Sequence, residues 1–441
     1  MGYGSAGRRP IERASKAAHS EVIRNPLVRA CIDDCVPPGP PPIQDLKALF
    51  TTAPSGTGKV TAVIAIDGGY TVAPIREEYP SASIAFFTFG PLLFNLSDLA
   101  ALDKQPFIGP EDMAALKNLE RYSLALPLKL IKRKGSSTFQ EGVRRSIHER
   151  LEAKDGLGEA LQWLLFREWL ETEQRSLWEL PRCPQPECTG AGQTFHSGGP
   201  TETTCAICKG PVFLSDALRL YERIDEEQGA AGILGYLLTT LEQLVLVSLI
   251  RAVWLMKPVV LREILFIKDG PLAFFGTTAP LRRPMRELMK HLAAPGGDTP
   301  LINVIGIEKS GPFVEHAAMI EGHLSPGQVF LPTNEYIFRY ITPGDPSSEG
   351  FGHNTYYGAK VIFKGPRGDM YVGTIPTGEY QKSPTLDALY NVGDVLDVTA
   401  RLRCSMYDNA LLPIALANRL VSLADVPSTA ILARFAKGRL V

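Results

Sequence analysis

A short apolar run, VTAVIAIDGG from Val60 to Gly69, ends abruptly in an acid and two glycines. β-Branched residues at this density favour a buried strand, and Asp67 falls where such a strand leaves the core. A second run, ILFIKDGPL from Ile264 to Leu272, repeats the design with Asp269. Two strands that each deliver a carboxylate beside glycine can bring both acids to one edge of a sheet, a common way of building a site for hard divalent cations. Taken singly, each Asp-Gly pair also suits an ordinary turn.

A third acid, Glu242, sits in the long apolar segment Ile233 to Trp254. As a helix this segment is buried on most sides, so an ionised glutamate within it needs a partner or a cation. A nearby arginine would serve as well as a metal. The segment is long enough to span a membrane, but Glu242 and Arg251 lie inside it, which favours a core helix.

With 441 residues, 45% hydrophobic and 21% charged, the chain can bury a large core and carry an insertion or second domain. A formal net charge of -1 gives no global pull toward nucleic acid. Phosphate binding would have to come from local basic patches, the best of which runs through Lys129, Lys132, Arg133 and Lys134 to Arg144, Arg145 and Arg150. The N-terminus lacks the apolar core of a signal peptide, which points to the cytoplasm.

Cys183, Cys188, Cys205 and Cys208 form a C-x4-C-x16-C-x2-C arrangement rich in Pro, Gly and Thr. Two close pairs across a short loop suit tetrahedral thiolate coordination, so a structural zinc ribbon with no open catalytic position is expected. By contrast, APSGTGKV from Ala53 to Val60 only imitates a phosphate-binding P-loop. The pattern needs glycine at Ala53 and a hydroxyl residue at Val60, and it should follow a strand instead of preceding one.

The chain reads as an arm and proline-rich linker at 1–50, with a helix over Ile11 to Arg29, and a first core segment at 60–100 with a second strand from Ser83 to Phe94. Amphipathic helices at 101–215, including Gly156 to Trp178, look like an insertion that carries the ribbon at 180–212. The core resumes at 216–430 with the Glu242 helix, strands at Ile264 to Asp269, Leu301 to Ile307, Tyr336 to Ile341, Ala359 to Phe363 and Met370 to Ile375, and a helix from Leu411 to Leu423. Such mixing suggests an α/β or α+β sheet with helices on its faces.

The IDGG strand, the acidic helix, the IKDGPL strand, the GIEKSG turn (Gly306 to Gly311) and MYDNALLPIALANRL (Met406 to Leu420) fall in an order that resembles the NurA nuclease family. The resemblance covers about 60–95 and 216–425. It implies an RNase H-like mixed α/β sheet flanked by helices, a homodimer, manganese- or magnesium-dependent DNA cleavage and a HerA-type hexameric ATPase as partner. By this resemblance Asp67 and Asp269 match the family's metal-binding aspartates and Glu242 its helical glutamate, with Glu222 in reserve. Lys309 matches a lysine that would contact the scissile phosphate, Asp408 would be an outer acid, and Tyr336 and Arg339 would touch DNA. Two departures stand out. Asn418 replaces a histidine, and Ile267 replaces an acid that some members have. The zinc ribbon is not general to the family.

The implied reaction is phosphodiester hydrolysis at a carboxylate-held pair of cations. Two other readings are compatible with the residues: a non-catalytic adaptor that holds DNA or an ATPase, and an RNase H-like enzyme that cuts RNA.

Overall fold

The computed structural model describes residues 24–36, 39–76, 81–98, 121–293, 300–345 and 347–402, together with Leu411, Pro413, Ile414, Ala415 and Ala417. Most of the N-terminal arm lies outside these residues, as do Asp408, Asn418 and most of the last helix expected from the sequence.

Nine strands build one sheet: β1 (Phe50–Thr52), β2 (Ala62–Arg76), β3 (Ala82–Asn95), β4 (Tyr122–Lys129), then, beyond four short strands elsewhere, β9 (Ile264–Asp269), β10 (Asn303–Glu308), β11 (Gln328–Phe330), β12 (Gly358–Lys364) and β13 (Met370–Pro376). Their order is β1-β11-β12-β13-β10-β9-β2-β3-β4. The central β2, β9 and β10 run parallel, and every flanking pair is antiparallel. The four short strands, β5 (Leu177–Glu179), β6 (Thr194–His196), β7 (Glu202–Thr204) and β8 (Pro211–Phe213), make two hairpins of the cysteine region.

The near-continuous apolar runs noted in the sequence follow from burial on both faces. Ile64, Ile66, Phe266 and Val304 pack on one side with the helices α3 (Phe139–Leu151), α4 (Leu157–Phe166) and α5 (Leu234–Met256). Val63, Ala65, Leu265, Ile267 and Ile305 pack on the other with Val395 and Ile414. The apolar stretch Ala231–Met256 is long enough to cross a membrane, yet 67% of its most apolar window is buried inside the protein, where Leu237, Leu241, Leu244 and Val247 meet the sheet and α4. It is the core helix.

Three expectations are corrected. Tyr122–Lys129 lies inside the block read as a helical insertion but is an edge strand of the main sheet, with its residues alternately buried and more exposed. Gly156 to Trp178 is not one helix: α4 ends at Phe166, where Arg167 takes a left-handed φ of 55°. Asn334–Tyr340 is a helix and not a strand. Its cap is Thr333, whose side-chain oxygen accepts from the Tyr336 backbone N–H, and this local hydrogen bond overrides the strand preference of its aromatic residues.

The P-loop imitation is occupied from within. Asp394 accepts from the Thr57 backbone N–H (2.6 Å), the Gly58 N–H (3.2 Å) and the Thr57 hydroxyl (2.8 Å), so a carboxylate holds the amides a phosphate would need. Asp394→Ala removes this shared acceptor and is expected to destabilise the fold by about 2–3 kcal/mol, measured by urea denaturation, while ATP addition leaves the wild-type midpoint unchanged.

Candidate metal centres

β2 and β9 pair in register from Ala62↔Ile264 to Ile66↔Lys268, so Asp67 and Asp269 are the next residues on two adjacent parallel strands. Strand alternation turns Gly68 and Lys268 toward α5. A side chain at Gly68 would meet Leu238 Cδ1 and Phe89 Cβ at 2.8 Å and Glu242 Oε1 at 3.3 Å. Glycine is therefore what lets α5 bring Glu242 down beside the strand that carries Asp67. On β9, Gly270 takes a φ of 78°, and its carbonyl would lie 2.5 Å from any Cβ at Gly306 of β10. Gly270 turns the chain immediately after Asp269, and Gly306 leaves the room that turn needs.

Lys268 is almost wholly buried, and its Nζ lies 2.7 Å from Glu242 Oε2 while donating to the Asp269 carbonyl. Lys309, at the end of β10, reaches Asp269 Oδ1 at 3.0 Å. Asp67 is 3% exposed, its Oδ1 accepts from the Gly68 N–H at 2.7 Å, and its buried Oδ2 has no hydrogen-bond partner. Burial, then the charges of Asp269 and Glu242, push its carboxyl up to about 8 against the opposing pull of Lys309. Glu242 is also held above the usual carboxylate range, because burial outweighs the Lys268 ammonium.

The structure thus brings Asp67, Glu242, Asp269 and Lys309 into one electrostatic cluster where the parallel pairing of β2 and β9 stops, and adds Lys268. The clue to Lys268 was its place before Asp269 in a strand buried on both faces, where alternation turns it inward toward the acidic helix. The orphaned Asp67 Oδ2 and the mutual repulsion of three acids suit a hard divalent cation. The carboxylate oxygens are not drawn into a closed coordination shell: among the described residues, only the four cysteines bring three or more such donor atoms within 4.8 Å of one another.

That second centre is compact. Sγ of Cys183 lies 3.8 Å from Cys208 and Sγ of Cys188 3.8 Å from Cys205, close to the roughly 3.8 Å spacing implied by four Zn–S bonds of about 2.3 Å in a tetrahedron. Gly190 packs so tightly that a Cβ there would sit 3.3 Å from both the Cys188 and Cys205 sulfurs. Backbone N–H groups of Cys208 and Ile207 lower the Cys205 thiol to about 6.

The other sequence candidates lie apart. Tyr336, expected to touch DNA, is buried instead, with its hydroxyl 2.9 Å from His316 Nε2 and its ring against Phe330. Arg339 is exposed and stacks on Tyr340. Lys132 donates to the Ser137 carbonyl, and Arg133 pairs with Glu149 at 2.5 Å. Glu222 lies in a 3-10 turn bound to Arg219 and not at the carboxylate cluster.

These elements define an α/β protein with acids and lysines gathered where its central parallel pairing stops and a separate four-cysteine cluster. No protein-family model matches the chain, and no curated protein matches it. Among solved structures it is similar to the NurA nuclease from Sulfolobus solfataricus, with 9% identity and a TM-score of 0.35 over 97% of this chain and 98% of that one. A second NurA structure has 10% identity and a TM-score of 0.30, covering 97% and 99% of the two chains. A NurA structure with manganese has 10% identity and a TM-score of 0.25 over the same shares.

Two outcomes are expected. In buffer free of magnesium and manganese, Asp67→Asn should stabilise the protein at pH 9 by a few kcal/mol and leave it near wild type at pH 4. The reason is that a folded-state value raised from 3.8 to about 8 penalises folding progressively as pH rises between those values; urea unfolding at both pH values reads the difference. Cys205→Ser should lose bound zinc by mass spectrometry of the intact protein and lower the melting temperature. Wild-type protein should shed the metal as the pH is lowered and protons compete for sulfur.

Proposed function

We propose that this chain is a metal-dependent nuclease that hydrolyses DNA phosphodiesters at the Asp67, Glu242 and Asp269 cluster. One observation carries this reading: a buried carboxylate with an unpartnered oxygen, raised by two neighbouring acids, where the parallel pairing of β2 with β9 stops. Manganese or magnesium ions, when bound, supply the charge that acidifies a water and stabilises a leaving oxygen. Asp67 and Asp269 would hold one and Glu242 would share a second.

The protein's own groups set the rest. Gly68 lets α5 pack closely enough to set Glu242 beside the strand carrying Asp67, and Gly270 lets the chain turn directly after Asp269. Lys309, 28% exposed beside Asp269, is placed to receive a phosphate oxygen. Lys268 holds Glu242 and the Asp269 backbone together, so the helical acid keeps its position relative to the strand. Cys183, Cys188, Cys205 and Cys208 would hold a structural zinc ion that braces the two hairpins.

The order of motifs supports a homodimer working in the cytoplasm with a HerA-like hexameric ATPase, in DNA end processing or defence against phage. The formal net charge of -1 fits delivery of DNA by a motor better than capture from solution. A non-catalytic adaptor is the second reading. Its support is that Lys268 and Lys309 already pair with two of the three acids.

Manganese-dependent degradation of end-labelled linear DNA, with and without a HerA-like ATPase, separates the two readings. The nuclease account expects cleavage by the wild type and a loss of at least about a hundredfold in Asp67→Ala and Asp269→Ala. Intact DNA under every condition selects the adaptor. A matched RNA substrate tests RNase H-like preference, which would appear as RNA cut in preference to DNA.

A further inference from the structure

We propose that a strip of arginine–aromatic pairs, running from the cysteine hairpins to the start of α5, binds single-stranded DNA and leads it to the carboxylate cluster. This destination rests on the nuclease reading, whereas the binding itself does not.

The strip begins at a groove of about 570 Å³ between the first cysteine hairpin and the body of the protein. Trp178, Leu180 and Thr194 lie on one side, with Arg219 and Pro280 on the other. The Arg175 guanidinium lies 5.1 Å from the Trp178 ring centre, and Arg182, next to the groove wall at Pro181, lies 5.8 Å from that of Tyr221. The 3-10 turn Gly276–Leu281 then connects the groove to the site. Pro280 lines the groove, and at the other end a Cβ on Gly276 would come within 2.8 Å of the Tyr236 ring. Arg223 covers that ring at 5.0 Å. Tyr236 stands on the same helix as Leu238, which touches Gly68, and Glu242.

The length fits a short strand. Four residues of 3-10 turn span about 8 Å and six residues of α-helix about 9 Å, so the path is at most about 17 Å long, room for no more than about five stacked nucleotides at 3.4 Å each. Arg182 and Arg223 are exposed, and among the described residues neither has a carboxylate within salt-bridge reach. The acids near the strip include Glu179, which is exposed, and others already engaged: Glu222 by Arg219 at 2.8 and 3.1 Å, Glu287 by Arg167, Asp216 by Arg144, and Asp225 by the Glu227 and Gln228 backbone N–H groups. Guanidinium groups without carboxylate partners beside the half-buried rings of Trp178 and Tyr236 match the phosphates and bases of an unpaired strand, whereas the bases of a duplex are stacked out of reach; the Tyr221 ring beside Arg182 is buried and serves only to hold that arginine. The basic patch at Lys132 and Arg133, in the loop before α3, differs in kind: Arg133 is tied to Glu149 and Ser146.

The test is fluorescence anisotropy with a labelled oligothymidylate of about 15 nucleotides and a blunt duplex of equal length. All proteins carry Asp67→Asn so that cleavage does not intrude, and zinc content and melting temperature are checked for each. Arg182→Ala with Arg223→Ala should weaken oligothymidylate binding about tenfold and reduce the salt slope by about 1.4, the effect of two lost phosphate contacts. Trp178→Ala should weaken it several-fold, and Trp178→Phe should restore most of the loss. Unchanged affinity and slope in the arginine variant, or an equal loss on the duplex, overturns the proposal. Failure of the nuclease reading would appear elsewhere, as intact DNA with the protein that keeps Asp67.

Discussion

The close approach of α5 to β2 at Gly68, where the parallel pairing with β9 stops, is the constraint on which the carboxylate site depends. Parallel registration sets Asp67 beside Asp269, and only a helix lying against Gly68 can add Glu242 to them. The Glu242–Lys268 pair fastens that approach. Both partners are buried, so removing either would strand a charge in the core at a cost of about 3–5 kcal/mol. The same pair ties the helix to the strand carrying Asp269, because Lys268 also donates to the Asp269 carbonyl. Gln243, the next residue on α5, accepts from the Tyr357 hydroxyl and donates to the Ala273 carbonyl, which secures the chain beyond Asp269 to the same helix.

Asp67 is the point of conflict in this arrangement. Burial alone would raise its carboxyl, and two neighbouring acids raise it further. A fold built for stability would place an apolar residue there. Keeping an acid with an unpartnered oxygen is a local cost of the kind found where a charged ligand is to be received. The four cysteines show the opposite arrangement. Their sulfurs already stand at coordination spacing, held by two short hairpins and by Gly190, whose missing side chain leaves room for two of the sulfurs.

Much of this was legible in the sequence because the signals were local and physical. Apolar runs leading into Asp-Gly mark strands buried on both faces, and β9 and the first part of β2 fall where those runs stand, although β2 continues past its Asp-Gly to Arg76. Paired cysteines at short spacing mark a thiolate cluster, and the four sulfurs do converge. Errors arose where long-range pairing or a single cap decided the structure. Tyr122–Lys129 became a strand by adding to β3, a partner that local pattern does not identify. Asn334–Tyr340 became a helix through the Thr333 cap against the strand preference of its rings, and that turn carried Tyr336 into the core. Lys268 and Asp394 were missed as structural keys because each acts on residues distant in sequence, Glu242 in one case and Thr57 in the other.

The central claim is that Asp67, Glu242 and Asp269 act together as a cation site. Titration of the zinc-loaded protein with manganese by isothermal calorimetry tests it most directly, in wild type, Asp67→Asn and Glu242→Gln. The account predicts manganese binding by the wild type, release of protons as the raised Asp67 carboxyl ionises, and loss of the binding heat in both variants. Equal manganese binding by all three proteins, or none by the wild type, would contradict it.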